Sequence, residues 1–142
     1  MQFPAAITPT ATQAADGSKI AAVEQLAGGM RLSAFCAVSA DPASDTVLDP
    51  VERGLRIRAL VNNLQIAGPA INDVGVSAPD CSEVRGTMLV NAVGYRIVAR
   101  LCMRTESTFI AEAIFSQSRA EASATSFIAS MKRTAETAAA VP

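Results

Sequence analysis

The chain has 142 residues, a length that suits one domain able to bury roughly two-thirds of its unfolded surface. Its 12 basic and 13 acidic residues give a formal charge of -1, which provides no global attraction to nucleic acid or to an anionic membrane. No apolar run approaches the roughly 20 residues needed to cross a bilayer, and the absence of histidine removes Ser-His-Asp and Cys-His catalysis and histidine metal sites.

The first third of the chain predicts an antiparallel meander. A short edge strand is expected over residues 2–8, and the Asp16-Gly17 turn separates it from a second strand over residues 18–26. A third strand follows Gly28-Gly29 and covers residues 31–39. Its alternation places on one face Leu32, Ala34, Cys36 and Val38.

A helix is predicted to begin at Asp49-Pro50, which fits an N-cap followed by proline at the first helical position, and to run to about Leu64. The residues expected to face the sheet are Val51, Leu55, Val61 and Leu64. The residues expected to face water are Glu52, Arg53, Arg56 and Asn62. Ala67-Gly68-Pro69 then breaks the pattern, and a short strand is expected over residues 70–76.

The loop before this helix carries Asp41, Asp45 and Asp49, four residues apart. Two interpretations are open: a weak calcium site, or a solvated acidic loop. We favour the loop, because the spacing lacks the alternate-position pattern of an EF-hand.

The clearest pattern in the chain is a hairpin after Cys81. From Tyr95 to Met103 apolar residues take the alternate positions typical of a half-buried strand, and residues 84–90 form the other leg. The intervening Asn91-Ala92-Val93-Gly94 supplies the turn. If Asn91 and Ala92 are the two turn residues, Cys81 lies opposite Cys102; if all four residues form the loop, Cys81 is displaced diagonally by one pair.

Both registers place the sulfurs of Cys81 and Cys102 on one face, so these residues are the candidate disulfide. Cys36 would then be a buried thiol, with a Cys36–Cys102 bridge as the alternative. The cysteines form no C-x-x-C motif and no glycine-rich phosphate loop is present, so we expect neither a metal nor a cofactor.

The cysteine placement favours an oxidising compartment, and hence a periplasmic or secreted protein. The alternative is cytoplasmic, because Met1-Gln2-Phe3-Pro4 has neither a basic leader nor a long apolar segment. A removed signal or lipid anchor is compatible with export if Met1 precedes a trimmed mature sequence.

A third apolar run over residues 108–116 suits a strand covered on both faces. Ser118-Arg119-Ala120-Glu121 then has the form of a capping box, which predicts a helix running to about Arg133. The domain is expected over residues 1–134, with an Ala/Thr-rich tail over residues 135–142.

Four arginines form the candidate interaction face. Alternation places Arg96, Arg100 and Arg104 on one face of a strand, with Arg85 across the hairpin. The face could bind an anion or an acidic protein. The alternative, which we favour, is an ordinary charged face paired with Glu83 and Glu106 or covered partly by a helix.

These elements predict an α+β domain: a mainly antiparallel twisted sheet of six or seven strands with two principal helices packed on it.

The order of four short motifs resembles the PsbP-like group, which includes the Ran-binding Mog proteins and small bacterial exported proteins or lipoproteins. The matching residues are Phe3-Pro4, Asp16-Gly17, Glu83-Val84-Arg85-Gly86 and Phe127-Ile128-Ala129-Ser130-Met131-Lys132. The resemblance implies a three-layer α/β/α fold and an accessory or binding role, and it implies no catalytic residues.

The function predicted from the sequence is therefore an exported, non-catalytic interaction or accessory module with an unknown protein partner, such as an inhibitor or immunity-type protein. The alternative is a small-ligand carrier whose pocket lies between helix and sheet. An enzyme ranks third, since it would need a Ser/Lys or carboxylate constellation that spacing does not reveal.

Overall fold

A computed structural model of the chain describes residues 10–27, 29–41, 43–74, 80–116 and 120–129. Within these ranges the chain forms one seven-stranded antiparallel sheet with the order β1-β2-β3-β7-β6-β5-β4, together with two helices. The strands are β1 (Thr10–Gln13), β2 (Lys19–Ala27), β3 (Met30–Val38), β4 (Ala67–Asp73), β5 (Cys81–Val90), β6 (Val93–Met103) and β7 (Ser107–Phe115). The helices are α1 (Pro50–Asn63) and α2 (Glu121–Ala129). The predicted α+β class is confirmed.

The first described strand, β1, is a short edge strand paired with β2. The predicted turn between β1 and β2 is present: the Asp16 carboxylate accepts a hydrogen bond from the Ser18 amide at 2.9 Å, and Gly17 has a φ of 89°. The edge strand predicted over residues 2–8 lies outside the described residues.

The β5–β6 hairpin turns on two residues. Asn91 and Ala92 have φ values of 51° and 65°, and Val90 pairs with Val93. Positive φ at both central residues is the mark of a two-residue turn whose twist matches that of the strands. The first predicted register is therefore correct, and Cys81 lies opposite Cys102.

The edge strand β4 begins earlier than predicted. It starts at Ala67, and the expected break at Gly68-Pro69 falls within a register irregularity between Ala67 and Ala70. Proline and a bulge are tolerated here because one side of an edge strand has no ladder to support.

The two helices lie on opposite faces of the sheet, which makes three layers. On the α2 face, the buried cluster contains Met30, Leu32, Cys81, Val98, Cys102, Phe109, Ala111, Ala113, Phe115, Ala124, Phe127 and Ile128. On the α1 face, the buried cluster contains Leu48, Ile57, Val61, Ile66, Val84, Ile97, Ala99, Leu101 and Met103. Leu32, Ala34, Cys36 and Val38 share the α2 face, as predicted.

The predicted start of α1 is confirmed, because the Asp49 side chain accepts a hydrogen bond from the Val51 amide and Pro50 is the first helical residue. The predicted orientation of the helix is wrong. Val51, Leu55 and Leu64 are exposed, and only Val61 of the predicted set is buried.

The buried positions of α1 are Arg53, Ile57 and Val61, which are spaced four residues apart. Arg53 was expected to face water, but it lies under the helix and its Nη2 atom is 3.0 Å from Oδ1 of Asp73 on β4. Hydrophobic periodicity assigns every arginine to the solvent-exposed face. It therefore does not predict an arginine whose methylene groups are buried while its guanidinium pairs with a carboxylate.

The strand β7 is covered more fully on one face than on the other. Every second residue from Ser107 to Phe115 is buried on the α2 face, whereas those between are half-buried. Helix α2 buries Ala124, Phe127 and Ile128 against this strand and β6. The capping residues Ser118 and Arg119, the last predicted turn of the helix and the tail over residues 135–142 lie outside the described residues.

Candidate functional site

The candidate disulfide pair is joined in the structure. Cys81 and Cys102 form a disulfide between directly paired positions of β5 and β6, with their Cα atoms 4.0 Å apart. Both cysteines are buried on the α2 face. Cys36, two strands away in the same row, lies outside this disulfide and packs against this cluster, but it is half-buried rather than buried as predicted.

Three of the four candidate arginines lie together on the α2 face. The structure pairs Arg85 Nε with Glu83 at 2.7 Å and Arg85 Nη1 with Glu121 at 3.5 Å. Arg96 reaches the other oxygen of Glu121 at 3.3 Å, and Arg100 lies 4.0 Å from Glu83. The N-terminal turn of α2 thus lies over this part of the sheet and supplies one of its two carboxylates.

The fourth arginine is separate from the other three. Arg104 follows the end of β6, and its Nε is 3.1 Å from Oδ2 of the buried Asp80. Asp80 belongs to the segment that leads into β5, so this pair ties the β6–β7 turn to the start of the disulfide-bonded hairpin.

These contacts leave little free positive charge for an anionic ligand. Two glutamates sit among three arginines, and the side chain of Arg100 is only 14% exposed. Exposed ion pairs contribute about 0–1 kcal/mol each, so the network orients side chains more than it stabilises the fold. The arginine face has the geometry of a paired charged surface partly covered by a helix.

The acidic loop has structural uses at two of its three aspartates. Asp45 accepts hydrogen bonds from the Glu106 amide and from the Ser107 hydroxyl, both 3.2 Å from its Oδ1 atom. Asp49 caps α1. Among the described residues there is no group of three or more histidine, cysteine, aspartate or glutamate side chains placed to hold a metal ion.

A different surface has the character of a binding site. It is the end of the sheet where the β2–β3 and β5–β6 turns lie, which we call the hairpin end. Four large apolar side chains stand in solvent there: Leu26 is 78% exposed, Leu89 72%, Val93 51% and Val90 37%. Exposed apolar groups gathered at one place mark interaction sites more often than scattered ones do.

The exposure at the hairpin end follows from strand length. The last pair between β6 and β7 joins Arg96 to Phe115, and the last pair between β4 and β5 joins Ala67 to Thr87. Residues 88–95 therefore extend past both neighbouring strands by about 10 Å, at roughly 3.3 Å per residue. No charged residue occurs between Thr87 and Tyr95.

A groove of about 560 Å³ runs beside this projecting hairpin on the α1 face. It is lined by Leu26, Gly29, Met30, Arg31, Val90, Tyr95 and Ile114, and it is open to solvent. The floor is Ile114 of β7, while the β2–β3 turn and the hairpin form the two walls. Arg31 at the rim is paired with Glu24 at 2.7 Å.

A second depression lies between α1 and β4; the alternative prediction, a carrier, places its pocket between a helix and the sheet. It is lined by Arg58, Val61, Asn62, Pro69 and Ile71 and has a volume of about 440 Å³. It is also open, and its lining is more polar than that of the groove at the hairpin end.

Neither the hairpin end nor its groove was singled out from the sequence. The available signal was the uncharged run from Thr87 to Tyr95, which is unusual for a hairpin tip in water. Alternation assigned its residues to strands, but it does not tell where the neighbouring strands stop.

The described helices α1 and α2 are too short to span a membrane. Comparisons with protein-family models, with curated protein sequences and with solved structures found no match.

Proposed function

We propose that the chain is an exported, non-catalytic interaction module that binds a protein partner through the hairpin end. The observation that carries the proposal is the projecting β5–β6 hairpin, whose uncharged tip exposes Leu89, Val90 and Val93 beside an apolar groove. Interaction surfaces have apolar centres with few charges, which is the composition found here.

The proposed location is periplasmic or secreted. The buried Cys81–Cys102 disulfide supports it, because disulfides persist in oxidising compartments and are rare in the cytosol. The three-layer arrangement also supports the PsbP-like resemblance, which we keep as a proposal for the family together with its accessory role. Within that role, an inhibitor or immunity-type protein fits a module that acts by contact alone.

The arginine face supports partner binding less strongly than the hairpin end. Its three clustered arginines are already paired with Glu83 and Glu121, so an acidic partner would have to displace these contacts. At the hairpin end, by contrast, a partner would displace only water from apolar side chains, which is favourable by about 25 cal/mol per Å² of apolar surface removed from water.

The second candidate function is a small-ligand carrier. The groove favours it because its mainly apolar lining includes two residues that carry polar groups, Arg31 and Tyr95. Carrier sites bury 70–90% or more of a ligand's surface. Because this groove is open along its length, it suits a protein segment better than an enclosed small molecule.

The proposal is tested by position-specific photo-crosslinking in the native host. A photo-reactive amino acid replaces Val93 in one variant and Leu55, an exposed apolar residue on α1, in the control variant. We expect a discrete crosslinked protein, identified by mass spectrometry, from position 93 and none from position 55. Equal crosslinking from both positions, or none from position 93, would reject the hairpin end as the binding surface.

A further inference from the structure

We infer that the hairpin end is the interface for a second copy of this chain. This inference rests on the proposed function, since it names the partner of the same surface. Three features of the hairpin end lead to it: its unpaired strand edges, its self-complementary shape and its charge distribution.

The projecting hairpin has two free strand edges among the described residues. Residues 88–90 lie beyond the last β4 pair, and residues 93–95 lie beyond the last β7 pair. Natural proteins protect such edges with lysine, proline, bulges or a covering element. The edge strand β4 has proline and a bulge, but the segment from Thr87 to Tyr95 has neither a proline nor a charge.

The shape of the hairpin end is self-complementary. A two-fold interface uses the same surface patch on both copies, so each contact from the first copy to the second is repeated from the second to the first. Here each copy offers a projecting apolar hairpin and, directly beside it, an open apolar groove between that hairpin and the β2–β3 turn. Two copies related by a two-fold axis can therefore place each hairpin in the groove of the other.

The charges of the two ends of the sheet favour this orientation. Each described charge at the hairpin end has an opposite partner: Arg31 with Glu24 at 2.7 Å, and Arg96 with Glu121 at 3.3 Å. The opposite end, with the first turn of α1, carries eight described carboxylates: Asp16, Asp41, Asp45, Asp49, Glu52, Asp73, Asp80 and Glu106. Its described cations are Lys19, Arg53 and Arg104.

Two copies that meet at their hairpin ends thus bring neutral surfaces together and hold their acidic ends apart. Like charges placed across an interface cost several kcal/mol, so contact through the acidic ends is disfavoured. Of the residues that the structure describes at the hairpin end, Arg31 and Arg96 are each paired with a glutamate, which weakens their attraction for an anionic bilayer.

Reciprocal packing would also increase the surface that two copies cover. A stable interface buries about 800 Å² of solvent-accessible surface on each partner. The hairpin tip alone presents only Leu89, Val90 and Val93 as exposed large apolar residues, whereas reciprocal packing covers both the hairpin and the groove of each copy.

Sedimentation equilibrium of the oxidised full chain tests the inference. We expect a species of twice the 14.7 kDa chain mass that dissociates on dilution. Val93→Arg places a cation from each copy at the shared interface and should weaken association at least about 100-fold. Leu55→Arg, an equivalent change at an exposed α1 position, should leave association unchanged.

Covalent trapping keeps the test independent of the charge substitution. In a Cys36→Ala background, Val93→Cys should give a disulfide-linked dimer under mild oxidation, and Leu55→Cys should give none. A wild-type chain that stays monomeric at about 100 µM, far above the micromolar dissociation constants of weak complexes, would overturn the inference. In that case a different protein crosslinked at position 93 in the host would still support the proposed function, whereas no crosslinked protein would reject both.

Discussion

Reduction of the Cys81–Cys102 disulfide should lower the stability of the fold by about 3 kcal/mol. The two cysteines are 21 residues apart, and the loop-entropy relation gives about that value for a loop of this length. The native contacts change little on reduction, because the cysteines occupy directly paired positions in a ten-pair ladder. The effect should therefore arise mainly from the greater freedom of the unfolded chain.

Urea unfolding measures this effect. With a denaturant dependence of about 2 kcal/mol per M, the unfolding midpoint of the reduced chain should lie about 1.5 M below that of the oxidised chain. The disulfide is buried, so the chain should be reduced in the unfolded state and then refolded under reducing conditions. Cys36→Ala is the matched control, and its reduction should lower the midpoint by the same amount. Equal midpoints for the oxidised and reduced wild type would refute the reasoning.

Three further predictions concern local structure. Gly86→Ala should destabilise the fold by about 1–3 kcal/mol in urea unfolding, because an added Cβ would lie 2.5 Å from Ile66 Cγ2 and 3.0 Å from the Ala67 carbonyl oxygen. An unchanged unfolding midpoint would show that β4 does not pack on β5 as described. Asp49→Ala should cost about 1 kcal/mol through loss of the α1 N-cap, and Asp49→Ser should restore most of it; equal losses in both variants would contradict the cap. The hydrogen bond from the Ser18 amide lowers the pKa of the Asp16 carboxyl below its ordinary value of 3.8. The stabilising contribution of this hydrogen bond should therefore be present above the pKa of the unfolded chain and be lost as the pH falls through the pKa of the folded chain. A pKa of 3.8 or higher for Asp16, measured by NMR titration of its carboxyl group, would contradict this.

The features set by local sequence were predictable. Period-two alternation identified β6, with β5 as the other leg of its hairpin, and an apolar run identified β7. Asn91 and Ala92 accept the positive φ that the two-residue turn requires. Asp49-Pro50 defined the start of α1, because an aspartate cap and a proline at the first helical position act within one turn.

The features set by tertiary packing were not predictable from the pattern. Hydrophobicity placed Val51 and Leu55 against the sheet, but the helix instead buries Arg53, whose partner Asp73 is twenty residues away on an edge strand. Likewise, the exposure of Leu89 and Val93 depends on where β4 begins and where β7 ends. The arginines could be assigned to a face, but their pairing with Glu121 depends on where α2 crosses that face.

If a second copy covers the hairpin end, as we propose, the most direct test is the solvent accessibility of individual methyl groups. A soluble paramagnetic probe broadens NMR signals of exposed methyl groups and can be applied across a series of protein concentrations. We expect Leu26, Leu89 and Val93 to lose this broadening as concentration rises, while Val51 and Leu55 on α1 keep it. Unchanged broadening at Leu89 and Val93, or protection of the α1 methyl groups instead, would contradict the claim.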